Sequence, residues 1–305
     1  MPRILIVGAT GHLGRELVSA CRQQNAEVHA LVRPATRRDA ARMRPLEDAS
    51  ATIHEGDLTD EGSLRRACGA VDVVISAVGG MQVADQAALV RAVKDAKVQR
   101  FVPSDFGLDP AASGPGSCAL FDAKKAVQES VKAAGIPYTF IHANGFFSYW
   151  AFSLGDITRL GGKVPPDEVN VYGDGSVMGA MNSVADIAKV TVRAVHDPRL
   201  RNQELHIRAN TITQNLLIAL WQTASGRTVT RTPVPAAELE KIIAGATAPD
   251  QGMALIAAQL HRSLWVRGDS VKRVPGALEA TEVYPDMTFQ TIEQAFAEIA
   301  PPPLS

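Results

Sequence analysis

The sequence predicts an α/β protein: a doubly wound parallel sheet with a smaller, partly interwoven α+β domain behind it. Three observations predict this. The apolar run Ile4-Leu5-Ile6-Val7 feeds straight into the glycine turn Gly8-Ala9-Thr10-Gly11-His12-Leu13-Gly14, short β-branched runs alternate with helical patterns as far as His142, and beyond His142 that rhythm stops. Strands alternating with helices of this length require right-handed βαβ crossovers, which give a parallel sheet covered on both faces.

Taken in order, residues 4–7 form the first strand and 13–22 an amphipathic helix, followed by a strand at 27–32 and a strand and helix at 51–54 and 61–68. The pattern repeats at 71–76 with 84–95, at 100–102 with 119–134, and closes with a strand at 138–142. Glycine, proline and aromatic residues then crowd 144–166, and later helices are expected at 187–195, 214–221, 236–243, 251–264 and 291–299. The dinucleotide-type domain is expected to span 1–150, with segments around 176–208 returning to it, and the substrate-side domain 151–305, ending in a loose tail at Pro301-Pro302-Pro303.

With 305 residues, 46% of them hydrophobic and 21% charged, the chain is large enough to bury a full core and is not disordered. A net charge of −1 leaves no electrostatic footprint for nucleic acid or an anionic membrane, so a small-molecule partner is expected. No apolar run approaches the roughly 20 residues that span a bilayer. Three cysteines, Cys21, Cys68 and Cys118, have no metal spacing and cannot all pair, and the chain opens on a strand rather than a leader; a cytoplasmic setting is expected.

A strand, a glycine turn and a helix in succession aim backbone N–H groups and the positive helix end at a pyrophosphate. Gly8, Thr10, Gly11, His12, Leu13 and Gly14 are therefore candidate cofactor residues of a Rossmann-type site. An NAD site places a carboxylate at the end of the second strand, some 20 residues beyond the turn, to hold the ribose 2′-hydroxyl. Here that strand ends Ala30-Leu31-Val32-Arg33, with Arg37, Arg38 and Arg42 close behind. Arginine grips a phosphate where a carboxylate would repel it, so NADPH is expected over NADH, on Arg33 and Arg42. Asp57, after the third strand, is placed near the adenine, and Ala77, Val78 and Gly79 end the fourth strand beside the cofactor's path.

One residue breaks a pattern. Leu120, Lys124, Val127, Val131 and Ala134 share a helix face, and four of the five are apolar; Lys125, Gln128, Glu129 and Lys132 form the opposite, solvated face. An ammonium on the inward face must snorkel, pair or line a cleft. If it lines a cleft, desolvation lowers its pKa and makes Lys124 a candidate general acid or base. No tyrosine has a lysine four residues on, no Gly-x-Ser-x-Gly elbow occurs, and the seven histidines show no metal-ligand spacing. His142, closing the sixth strand, either faces the pocket or packs.

These residues resemble the isoflavone reductase-like branch of the NmrA-like atypical short-chain dehydrogenases, which includes phenylcoumaran benzylic ether reductases and pinoresinol–lariciresinol reductases. The resemblance rests on the glycine turn, on Asp72-Val73-Val74-Ile75-Ser76, on Arg100-Phe101-Val102-Pro103-Ser104-Asp105-Phe106-Gly107, and on Phe121-Asp122-Ala123-Lys124 followed by Ala134-Gly135-Ile136-Pro137-Tyr138-Thr139. Val171-Tyr172-Gly173-Asp174-Gly175, Asp197-Pro198-Arg199 and Val283-Tyr284-Pro285-Asp286 follow in the same order, so the likeness covers nearly the whole chain.

The resemblance implies a reductase in which NADPH delivers hydride to a small aromatic, phenylpropanoid-like acceptor, with Lys124 as the catalytic lysine. In the ether reductases of this group lysine deprotonates a phenol and the benzylic ether opens to a quinone methide; in the enone reductases a conjugated double bond is reduced. It also implies cofactor contacts from Ser104, Phe106, Asn144 and Phe146, with Phe146 and Phe147 walling the nicotinamide and substrate. Three departures bear on the acceptor: Asp105 replaces the group's glutamate, Gln128 stands where many members carry arginine, and the 147–166 loop matches no plant subgroup. Two other readings are an NADP-sensing regulator without catalysis, as in NmrA-type members, and an NADPH quinone or enone reductase. Both leave room for a homodimer.

Overall fold

The computed structural model describes residues 2–162, 164–245 and 252–300; Gln251, expected to begin a helix, and the Pro301-Pro302-Pro303 tail lie outside them. Strands β1 (Arg3–Val7), β2 (Glu27–Val32), β3 (Thr52–Glu55), β4 (Val73–Ser76) and β5 (Arg100–Val102) form a parallel sheet in the order 3-2-1-4-5. A parallel bridge from Phe101 to Tyr138 carries the sheet on to β6 (Thr139–His142). The strands Gln203–His206 and Leu278–Glu279 add to it in turn, both parallel.

The alternation of β1 explains why this sheet has two dry faces. Ile4 and Ile6 point into one apolar cluster, with Leu13, Leu17 and Cys21 of the His12–Gln23 helix and Ile187 and Val190 of the Val184–His196 helix. Leu5 and Val7 point into another, with Leu64, Val93, Phe101, Val131 and Phe140. Successive strand residues face opposite ways, so a strand covered on both sides must be apolar throughout. Each fully buried side chain of this kind contributes about 1.5–3 kcal/mol.

Residues beyond β6 build a third apolar cluster around Trp150, Tyr172, Trp221, Trp265 and Phe296. Its framework is irregular: Glu168–Tyr172 pairs in parallel with Thr230–Val234, and Met178–Asn182 lies between antiparallel Asn210–Thr213 and parallel Gly145–Phe146. The helix over Val184–His196 packs on the His12–Gln23 helix, so this later segment returns to cover one face of the main sheet. Among the described residues no helix is long and apolar enough to cross a membrane.

Candidate functional site

Two joined clefts open at the C-terminal ends of the parallel strands, where open α/β sheets bind ligands. The first, of about 690 Å³, runs over the glycine turn. Gly8 adopts φ +86°, and a Cβ there would lie 2.6 Å from the Ala77 carbonyl oxygen. Gly11 N–H donates to the Gly8 carbonyl at 2.9 Å, closing the turn. Only glycine at position 8 permits this close approach of two backbones, and the result is a cradle in which the turn's backbone and the helix start line the cleft, the arrangement that suits an anion.

Thr10, His12, Arg33, Arg42, Asp57, Ala77, Val78 and Gly79 line this cleft together with Gly8 and Gly11. At its far end, past β2, Arg33 is exposed and Arg42 pairs loosely with Asp39 at 3.4 Å. Asp57 accepts from the Thr59 N–H and hydroxyl at 3.0 Å each, which orients its carboxylate at the rim. Gly14 lines neither cleft: a Cβ on it would fall 2.0 Å from the Gly8 carbonyl oxygen, so its work is to let the helix seat against the turn.

The second cleft, of about 330 Å³, shares Gly11, His12, Ala77, Val78 and Gly79 with the first and is mainly apolar. Leu13, Ser104, Phe106, Lys124, Asn144 and Phe146, all singled out from sequence, line it. So do Leu108, Tyr149, Trp150, Leu260 and Ser270, which pattern reading missed because they come from separate turns and helices whose meeting at this cleft no local pattern records. His12 Nε2 meets the Ser148 hydroxyl at 2.8 Å and Phe146 stacks on Tyr149 at 5.8 Å, tying the glycine turn to the far wall of this cleft. Phe147 departs from expectation: it lines neither cleft, because the strand ends at Phe146 and the helical turn Phe147–Ala151 that follows buries the Phe147 ring in the third apolar cluster.

Lys124 does not snorkel. Its side chain is only 7% exposed, and its ammonium fills the space over Gly107, where a Cβ would lie 2.2 Å from Nζ. Burial lowers its pKa, opposed by the negative charge of Asp105, whose Oδ1 lies 3.9 Å away, and by Cys118. The same helix holds a correction: Gln128, expected on the solvated face, is buried and donates from Nε2 to Asp105 Oδ2. A polar side chain next to an apolar stripe is drawn inward when a buried carboxylate waits for it.

Behind Asp105 lies a cluster with no trace in the spacing of the histidines. His142 is fully buried, with Nδ1 3.6 Å from Asp105 Oδ2 and Nε2 3.3 Å from Glu204 Oε2. His206 Nε2 meets Asp109 Oδ2 at 3.1 Å. Asp109, His142 and His206 could in principle ligate a metal. However, Arg208 approaches His206 Nδ1 at 2.5 Å, and arginine only donates, so the His206 proton sits on Nε2 and is given to Asp109. That is a hydrogen-bonded ion cluster, with the candidate ligand nitrogen already occupied.

Asp109 supplies a pH test of this cluster. Burial alone would push its carboxyl up, but the His206 hydrogen bond, the nearby His142 and the Ala111 N–H outweigh it and hold the carboxyl at about 2. The folded value lies below the unfolded one of about 3.9, so its stabilising contribution is complete above about pH 4 and lost as pH falls through the folded value. In Asp109→Asn, the Tm deficit relative to wild type is expected to shrink steadily as the pH is taken from about 5 towards 2. A constant deficit across that range would show that the charge contributes nothing.

The fold, the cradle and the buried lysine are joined by a match to the NmrA-like family over residues 2–296. The chain belongs to that family. It is 35% identical to eugenol synthase 1 of Petunia hybrida, covering 98% of each chain, and 37% identical to the isoflavone reductase homolog IRL of Zea mays, covering 96% of each. It is 36% identical to phenylcoumaran benzylic ether reductase TP7 of Nicotiana tabacum, covering 95% of this chain and 96% of that one. Among solved structures, a protein in complex with NADP+ and (+)-pinoresinol superposes with a TM-score of 0.86 at 30% identity, covering 98% of this chain and 99% of that one.

Proposed function

We propose that this chain is an NADPH-dependent reductase of a small aromatic, phenolic acceptor, with Lys124 as its general acid/base. The observation that carries the proposal is a buried lysine facing an apolar cleft that is continuous with a glycine-turn cradle. When bound, NADPH supplies a hydride to the acceptor carbon. The chain's own residues do the rest. Backbone N–H groups of the glycine turn and the start of the His12–Gln23 helix hold the pyrophosphate, and Arg33 with Arg42 takes the 2′-phosphate. Asp57 would lie near the adenine, Ala77, Val78 and Gly79 beside the cofactor's path, and Ser104, Phe106, Asn144 and Phe146 would border the nicotinamide.

The apolar wall excludes water and stacks an aromatic acceptor, while Lys124 Nζ moves the proton at the acceptor oxygen. A neutral amine takes a phenolic proton, and the ammonium so formed returns it. The partners are a small molecule rather than nucleic acid or membrane, and three free, buried thiols suit a reducing cytoplasm.

NADPH oxidation with phenylcoumarans, pinoresinol and isoflavones is the direct test; nucleotide binding without turnover of any of them would favour the sensing role instead. The 2′-phosphate assignment has its own test. In Arg33→Asp, NADPH binding is expected to weaken roughly tenfold to a hundredfold while NADH binding holds or improves, as isothermal titration would report. Equal losses for both nucleotides would remove Arg33 from the phosphate site.

A further inference from the structure

Lys124 does not have its counter-ion to itself. Asp105 sits in the turn after β5, and its two carboxylate oxygens face different partners. Oδ2 accepts from Gln128 and lies 3.6 Å from His142 Nδ1, whereas Oδ1 lies 3.9 Å from Lys124 Nζ. Among the described residues, neither Asp105 Oδ1 nor His142 Nδ1 has a hydrogen-bond partner. One buried carboxylate is thus suspended between two buried bases, out of hydrogen-bond reach of both, and a movement of under about 1 Å would pair it tightly with either.

We propose that His142 is a positioning residue for Lys124: it holds Asp105 on its far side, so that the lysine faces a shared counter-ion instead of a tight ion pair of its own. This rests on the reading of Lys124 as the proton-moving group. The groups facing His142 are Asp105 and Asp109 from the turns after β5, and Glu204 and His206 from the Gln203–His206 strand, with the His206 ring centroid 4.8 Å away. Those facing Lys124 are Asp105 and Cys118. Three carboxylates around one buried imidazole favour its cationic form in spite of burial, and Glu204 is itself tied to Lys132 at 2.9 Å near the surface. A cation on the far side of Asp105 draws that carboxylate away from Lys124, and an amine without a tight counter-ion in a dry site remains a usable base.

The test is the pH dependence of Lys124 acylation in the full chain without nucleotide, followed by peptide mass spectrometry, because only the neutral amine reacts. In His142→Gln the midpoint is expected to rise by about one unit, leaving roughly tenfold less neutral amine at a given lower pH. In Asp105→Asn it is expected to fall, and in the double variant the His142 change should add little. Glu204→Gln, on a side chain 24% exposed, should shift the midpoint upward by a smaller amount and keeps the test alive if His142→Gln does not fold. An unmoved midpoint in the folded His142 or Glu204 variants, or an equal shift with Asp105 already neutral, overturns the proposal. Turnover by Lys124→Met separates the two claims: if that variant remains fully active, the acid/base role of the lysine fails while the acylation data still judge whether His142 sets the state of the amine.

Discussion

Lys124→Met is expected to bind NADPH as wild type does and to turn over an aromatic acceptor about 10²–10⁴-fold more slowly, the usual worth of a positioned acid/base group. Methionine follows the same unbranched path through the apolar wall, so the cleft keeps its shape and the effect isolates the amine. Removing one member of a buried ion pair is usually costly because the other is left orphaned. Asp105 escapes that here, since Gln128 donates to it and His142 stands on its other side. Stability should therefore change little, and the lost rate belongs to the chemistry. Lys125→Met is the matched control: Lys125 is exposed and, among the described residues, pairs only with Glu129 at 3.9 Å, so its rate should stay within about twofold. Nucleotide titration together with steady-state kinetics distinguishes the outcomes. Full activity in Lys124→Met would remove the amine from the mechanism.

The parts of this molecule legible from sequence are those in which the physics is local. The strand-turn-helix of residues 3–23 is written in a run of apolar residues, a turn that only glycine can make, and a 3.6-residue repeat. Lys124 is visible for the same reason, as a charge interrupting a stripe. Gln128 is the instructive failure: its own helix marks it as solvent-facing, and only Asp105, brought alongside from the turn after β5, makes burial favourable. His142 is harder still, because its partners Asp109, Glu204 and His206 come from segments up to 64 residues away and meet only when the Gln203–His206 strand pairs with β6. Hydrogen-bond networks of this kind are set by topology, and pattern within a single element carries no record of them. The wall of the apolar cleft formed by Tyr149, Trp150 and Leu260 is illegible on the same ground.

Gly14→Ala is expected to cost the protein both stability and nucleotide binding, although Gly14 lines neither cleft. An alanine Cβ would sit 2.0 Å from the Gly8 carbonyl oxygen and 2.8 Å from Ala9 Cα, against an ordinary contact of 3.4 Å or more. Both obstacles are backbone, so no side chain can swing aside; the helix head must move by over 1 Å or the turn must open. Overpacking of this sort costs about 1–3 kcal/mol or more, and alanine's better helix propensity returns at most about 1 kcal/mol of it. Either movement displaces the N–H groups that define the cradle, so NADPH affinity should fall by about a hundredfold or more, in line with how steeply catalytic and binding geometry responds to 1 Å shifts. Gly69→Ala provides the opposite sign: at the end of the Glu61–Gly69 helix a Cβ there meets nothing within 4 Å, and Tm should hold or rise slightly with binding unchanged. Thermal melts with and without NADPH compare the two. A Gly14→Ala protein that melts and binds like wild type would mean that the helix seats on the turn with more slack than a 2.0 Å approach allows.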